Sequence, residues 1–175
     1  RNGEYIDASG QSFRDFLAGK LPALPGQKPL LRDWEDHLTT AFPEVRLKRY
    51  MEMRGADGGP WRRLCALPAF WAGLLYDGPV LEAAWDLVRD WSMEERLQLR
   101  MDAPKLGLKA KVHGHTLQSI ALEVLDLSSR GLTARNRLSS SGENETGFLE
   151  TLFANTYAGL TPADKKLALY HGRWN

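Results

Sequence analysis

Residues 44–54, EVRLKRYMEMR, alternate in a way that only extended backbone can use. Glu44, Arg46, Lys48, Tyr50, Glu52 and Arg54 fall on one face of a strand, and Val45, Leu47, Met51 and Met53 on the other, with Arg49 as the exception. A strand cannot stand by itself. Its rows of N–H and C=O groups need partners, and each one buried without a partner costs on the order of 1 to 3 kcal/mol. Elsewhere only residues 3–7 and 109–115 read as strands, and both are short. The expectation is one or two strands of a sheet supplied mostly by polypeptide outside this sequence, followed by helices, which makes the fold class α+β.

The helical signals are dense. Ser12 caps a short helix through Phe16 and Leu17, and Pro22, Pro25, Gly26 and Pro29 then hold the chain in a loop. Asp33 and Asp36 suggest a helix running to about Phe42, ended by Pro43. Residues 61–76 read as a buried helix with Pro68 as a break or restart, and Leu81, Ala84, Trp85 and Val88 as an amphipathic one. Ser92 with Glu95 forms a capping box for a helix ending before Pro104. Leu117, Ile120, Ala121, Val124 and Leu125 mark a stripe stopped by Arg130 and Gly131, and residues 136–144 are a polar loop. Leu149, Leu152, Phe153 and Thr156 carry the next helix, and Thr161, Pro162 and Asp164 open the last.

Bulk properties exclude some functions. A net charge of +1 over 175 residues provides no long-range field, so no nucleic-acid partner is expected and phosphate binding must come from local Arg and Lys. The longest apolar run, residues 67–76, is about half of the ~20 residues a membrane span needs, so no membrane partner is expected either. The single cysteine, Cys65, excludes an intrachain disulfide and a multi-cysteine metal cluster; a reducing cytoplasm is the expected compartment. Cys65 and most of the tryptophans fall on helical apolar faces and are expected in the core.

A charged strand face is ordinarily just a solvated face. Two features point further. Carboxylates and cations alternate at two-residue spacing, as needed where a carboxylate holds a divalent metal and a guanidinium meets phosphate oxygens on it. Gly55, Gly58 and Gly59 then follow, as expected where backbone approaches a ligand or takes a positive φ.

Three stretches carry a family resemblance: FRDFLAGKLPALPG, DWEDHLTTAFPEVRLKRYMEMRGADGGPWRRLCALPAFWAGLLYD and GLTPADKKLALYHGRW. Together they resemble the carboxy-terminal portion of the plant and proteobacterial type of glutamate-cysteine ligase, more loosely over residues 78–141. The resemblance implies enzymes more than twice this length. Residues 1–175 would then be the carboxy-terminal part of a single catalytic domain, with a strand segment at 44–54, a helical region at 61–175 and the amino-terminal part missing. It also implies the active-site face of a glutamine synthetase-like sheet, and ATP-dependent joining of the glutamate γ-carboxylate to the cysteine amine through γ-glutamyl phosphate, the first step of glutathione synthesis. The implied cofactor is Mg²⁺, with ATP as co-substrate; the implied partners are glutamate, cysteine, ATP and the remaining amino-terminal part of the enzyme.

In that superfamily a Glu-x-Arg on one strand faces the site, and it matches Glu52-Met53-Arg54 here. The resemblance thus implies Glu52 as a metal ligand and Arg54 as a catalytic contact to the transferred phosphoryl group. Arg46, Lys48 and Tyr50 share the face and either line the cleft or pair with Glu44. Trp61 either walls the site or locks the turn after the glycine loop. His113 and His115 lack further ligands and read as a surface loop. Some plant members are redox-regulated through disulfides, and with one cysteine this segment forms no such bridge within itself. The isolated segment is expected to be inactive. The competing expectations are a non-catalytic helical module that stabilises a partner enzyme, and a related ligase with a different amine acceptor.

Overall fold

The structure, a computed structural model, describes residues 3–174. The chain forms two compact units, Arg1–Ala56 and Asp57–Asn175. It is α+β and mostly helical.

In the first unit, Ser12 Oγ accepts the Arg14 N–H at 3.2 Å and starts α1 (Phe13–Leu17). Helix α2 (Leu31–Leu38) begins before Asp33 and stops short of Phe42. Asp33 is its third residue, and the carboxylate reaches back to accept the Leu30 N–H at 2.6 Å. The Thr39 and Thr40 hydroxyls donate to the carbonyls of Asp36 and His37 at 2.6 and 2.7 Å, occupying acceptors that a longer helix would use. Residues 3–7 form no strand.

The stretch at 44–54 is not one strand. It folds back as β1 (Val45–Leu47) and β2 (Met51–Met53), antiparallel, with Val45 opposite Met53, Arg46 opposite Glu52 and Leu47 opposite Met51. Residues 48–50 make the reversal, where the Lys48 N–H donates to the Tyr50 carbonyl at 2.8 Å; the Arg54 N–H donates to the Glu44 carbonyl, also at 2.8 Å. One edge of each half is therefore satisfied from within the stretch itself. Even-numbered residues still face even-numbered ones, so folding back preserves the charged face. The apolar face finds no core in this unit: Leu47 is 81% exposed and Met51 60%.

The second unit carries α3 (Trp61–Leu75), α4 (Gly78–Val88), α5 (Met93–Leu106), a small hairpin of β3 (Lys111–Val112) and β4 (His115–Thr116), then α6 (Leu117–Arg135), α7 (Glu150–Tyr157) and α8 (Pro162–Arg173). His113 and Gly114, both at positive φ, form the two-residue reversal between β3 and β4. Local caps set most of the boundaries. The Asp77 side chain accepts from the Val80 N–H at 3.0 Å, Ser92 and Glu95 bond reciprocally at 3.1 and 2.8 Å, and Thr161 and Asp164 do the same at 3.2 and 2.7 Å. Neither proline ends its helix. Helix α3 runs through Pro68, and α5 passes Pro104 to reach Leu106. Nor does α6 stop at Arg130 and Gly131. It continues to Arg135 and ends on Asn136, whose φ of 49° is the left-handed cap conformation.

Two apolar clusters hold this unit together. Ala69, Leu132 and Leu149 pack with Phe70, Leu152 and Phe153, while Leu74, Val80 and Leu127 pack with Trp71, Ala83 and Val124. Across the α3–α6 contact the fully buried Ser128 donates to the Phe70 carbonyl at 2.9 Å. The tryptophans are less buried than expected: Trp34, Trp61, Trp85 and Trp174 are exposed and only Trp71 packs into a core cluster. Cys65 is half-buried rather than buried. No single helix among the described residues is long and apolar enough to cross a membrane.

Candidate active-site hairpin

The hairpin register sets Arg46 directly opposite Glu52, and the side chains meet. Arg46 Nε and Nη2 both lie 2.7 Å from Glu52 Oε2, and Arg54 Nε stands 3.8 Å from the same oxygen. The Arg46 hydrogen bond, helped by the positive charges of Arg46, Lys48 and Arg54 and opposed by partial desolvation, holds the Glu52 carboxyl below its ordinary range. Glu52 is therefore ionised at neutral pH. Its Oε1 accepts no hydrogen bond from a described residue.

Arg46, Glu52 and Arg54 are thus brought together. Lys48 contributes charge, and its Nζ lies 6.0 Å from the centre of the half-exposed Tyr50 ring. Sequence reasoning did not single out Phe42, whose ring centre lies 5.6 Å from the Arg54 guanidinium. An aromatic residue before Pro43 gives no local sign of that contact. Trp61 belongs to the second unit and is 76% exposed, so it is not packed as a lock within that unit. With Arg62, Cys65, Phe148, Glu150 and Thr151 it lines a hollow of about 330 Å³.

The glycine loop does not use positive φ at Gly55, Gly58 or Gly59. At Gly55 an added Cβ would lie 2.6 Å from a Glu44 carboxylate oxygen, the far end of a flexible side chain that can shift. His113 stays on the surface, where Nδ1 meets Glu95 Oε1 at 3.0 Å.

A sequence model of glutamate-cysteine ligase family 2 (GCS2) matches residues 6–174. The chain belongs to that family. Chloroplastic glutamate–cysteine ligase of Medicago truncatula is 55% identical over 174 residues, covering 99% of this chain and 33% of that protein. Those of Arabidopsis thaliana and of Oryza sativa subsp. indica (form A) are also 55% identical, with 32% and 34% of their lengths covered. The chain therefore spans about a third of the curated relatives it matches.

These relatives are named chloroplastic, which overturns the cytoplasmic expectation. A single cysteine excludes an internal disulfide but does not distinguish one reducing compartment from another.

The donor chemistry of the hairpin is compatible with a hard cation. Mg²⁺ is typically bound through one or two carboxylates together with substrate phosphates, and Glu52 offers an ionised oxygen that accepts no hydrogen bond from a described residue. No group of three His, Cys, Asp or Glu able to hold a metal occurs among the described residues.

Proposed function

We propose that this segment supplies part of the phosphoryl-transfer site of an ATP-dependent ligase that joins the glutamate γ-carboxylate to the cysteine amine. The observation that carries the reading is the arrangement of Glu52, ionised and open at Oε1, beside the Arg54 guanidinium.

In the first half of the reaction a glutamate γ-carboxylate oxygen attacks the γ-phosphorus of ATP, the bond to ADP breaks, and γ-glutamyl phosphate forms. In the second, the cysteine amine attacks the acyl carbon, phosphate leaves with the C–O electron pair, and the nitrogen gives up a proton. Arg54 contacts the oxygens of the group in transit, where a fixed guanidinium stabilises charge without reorganising. Phe42 lies against Arg54 and restrains it. Glu52 would hold Mg²⁺, which would supply positive charge to the phosphate oxygens. Lys48 adds positive charge to the same face. The segment by itself is inactive, since further carboxylates and the glutamate pocket come from the remainder of the enzyme.

The test is ADP release with glutamate and cysteine present, using the full-length enzyme and its Glu52→Gln and Arg54→Lys variants. Each should lose about a hundredfold or more in turnover with little change in melting temperature, and Lys should not rescue because it lacks the planar fork. Turnover that persists, or activity and folding that collapse together, would sink the reading.

A further inference from the structure

Glu52 is held from one side. A fork-on-fork pair of arginine and carboxylate engages both carboxylate oxygens and leaves each only its second lone pair for a cation. Here Arg46 Nε and Nη2 both converge on Oε2, and Oε1 accepts no hydrogen bond from a described residue. The hairpin builds this contact in, because Arg46 and Glu52 are cross-strand partners on one face. Arg54, at 3.8 Å from Oε2, is not saturated by the contact and keeps its guanidinium for another anion.

We infer that Arg46 is a positioning residue: by gripping Oε2 it fixes the Glu52 side chain with Oε1 presented to the divalent cation that accompanies the nucleotide phosphates. The inference rests on the reading of Glu52 as a metal ligand. Two effects of Arg46 oppose each other. Its charge repels a cation, while its hydrogen bond and close ion pair orient the carboxylate. Arg46 and Glu52 are 40% and 32% exposed, so water and salt screen the repulsion, whereas the loss of orientation is not screened. Outer-shell partners of metal ligands typically matter about 10- to 100-fold in affinity.

The experiment measures Mn²⁺ binding by electron paramagnetic resonance in the full-length enzyme without turnover. It compares the parent with Arg46→Ala, Arg46→Lys, Glu52→Gln and the Arg46→Ala/Glu52→Gln double variant, with thermal melts of each. At the site that Glu52→Gln weakens, Arg46→Ala should bind Mn²⁺ about tenfold more weakly at an unchanged melting temperature. Arg46→Lys, which keeps the charge and a single donor, should fall between Arg46→Ala and the parent. The double variant should bind no more weakly than Glu52→Gln alone, since Arg46 acts through Glu52.

Parent-like or tighter binding by Arg46→Ala overturns the inference. So does a double variant weakened further by the factor that Arg46→Ala costs by itself. Should Arg46→Ala not fold, Arg46→Lys decides by the same comparison, with parent-like binding counting against the inference. If Glu52→Gln itself binds as the parent does, the reading of Glu52 as a ligand fails, and that result is distinct from the other two.

Discussion

Gly73 and Gly131 meet backbone to backbone where α3 crosses α6. A Cβ on Gly131 would lie 1.8 Å from the Gly73 carbonyl oxygen, and one on Gly73 would lie 2.2 Å from the Ser128 carbonyl oxygen. These obstacles are main-chain atoms and cannot swing away. In an open helix, Gly→Ala gains about 1 kcal/mol from propensity. Here the helices would have to separate and loosen both apolar clusters, so Gly131→Ala and Gly73→Ala should each destabilise by about 3 kcal/mol. Urea denaturation measures this. Gly172→Ala on α8, where an added Cβ meets nothing within 4 Å, is the control and should be neutral or slightly stabilising.

Ser128 sits at the same crossing with no solvent exposure, and its hydroxyl is satisfied by the Phe70 carbonyl. Ser128→Ala should cost about 1 kcal/mol, the usual net value of one hydrogen bond, because the Phe70 carbonyl sits within α3 and alanine fits the space. Ser128→Val should cost more, because two methyl groups would enter the gap that the glycines keep closed. A melt in which valine is the milder change would show the crossing to be looser than the distances indicate.

The local features were legible. Ser12, the Ser92–Glu95 pair and the Thr161–Asp164 pair each specify a helix start within four residues, and each is found as read. What was misread depends on distant residues. Arg130 then Gly131 looks like a helix stop, but the glycine is there for Gly73, 58 positions earlier. Pro68 reads as a break, yet α3 packs along α6 and persists through it. The reversal at residues 48–50 is Lys-Arg-Tyr, without the Gly, Asn or Asp that usually announces a hairpin, so the alternation looked like one strand. The charged face was legible all the same, because side-chain parity survives that turn. The grip of Arg46 on Glu52 was not, since it depends on the fold-back.

Trp61 offers a separate test of two roles. An exposed ring contributes little to folding, so Trp61→Ala should leave stability within about 0.5 kcal/mol of the parent chain. If the ring walls a cleft completed by the rest of the enzyme, the same substitution in full-length protein should raise KM for a substrate while the melt stays put. A large drop in melting temperature for the segment alone would restore the turn-locking role.

Glu95 links a helix start to the β3–β4 hairpin, and this makes the fold acid-sensitive at a defined place. Its carboxylate accepts the Ser92 N–H at 2.8 Å and meets His113 Nδ1 at 3.0 Å. The backbone bond from Ser92, then the His113 contact and the Ser92 hydroxyl, lower its pKa below the ordinary 4.5. Asp164 is lowered below 3.8 by the Thr161 hydroxyl and then the Thr161 backbone bond. A carboxyl with a depressed folded-state pKa contributes stability above its unfolded value and loses it as pH falls through the folded one. Both boxes should therefore hold at neutral pH and through mild acid, and open only below the ordinary carboxylate range, about pH 4. Amide chemical shifts of Ser92 and Thr161, followed by NMR down to about pH 2, should move together with the carboxyl carbons of Glu95 and Asp164. Glu95→Gln keeps an acceptor for Ser92 without a titrating group, so its Ser92 amide should lose the acid transition while the Thr161 amide retains it. A Ser92 amide that titrates equally in Glu95→Gln would show that another group controls this helix start.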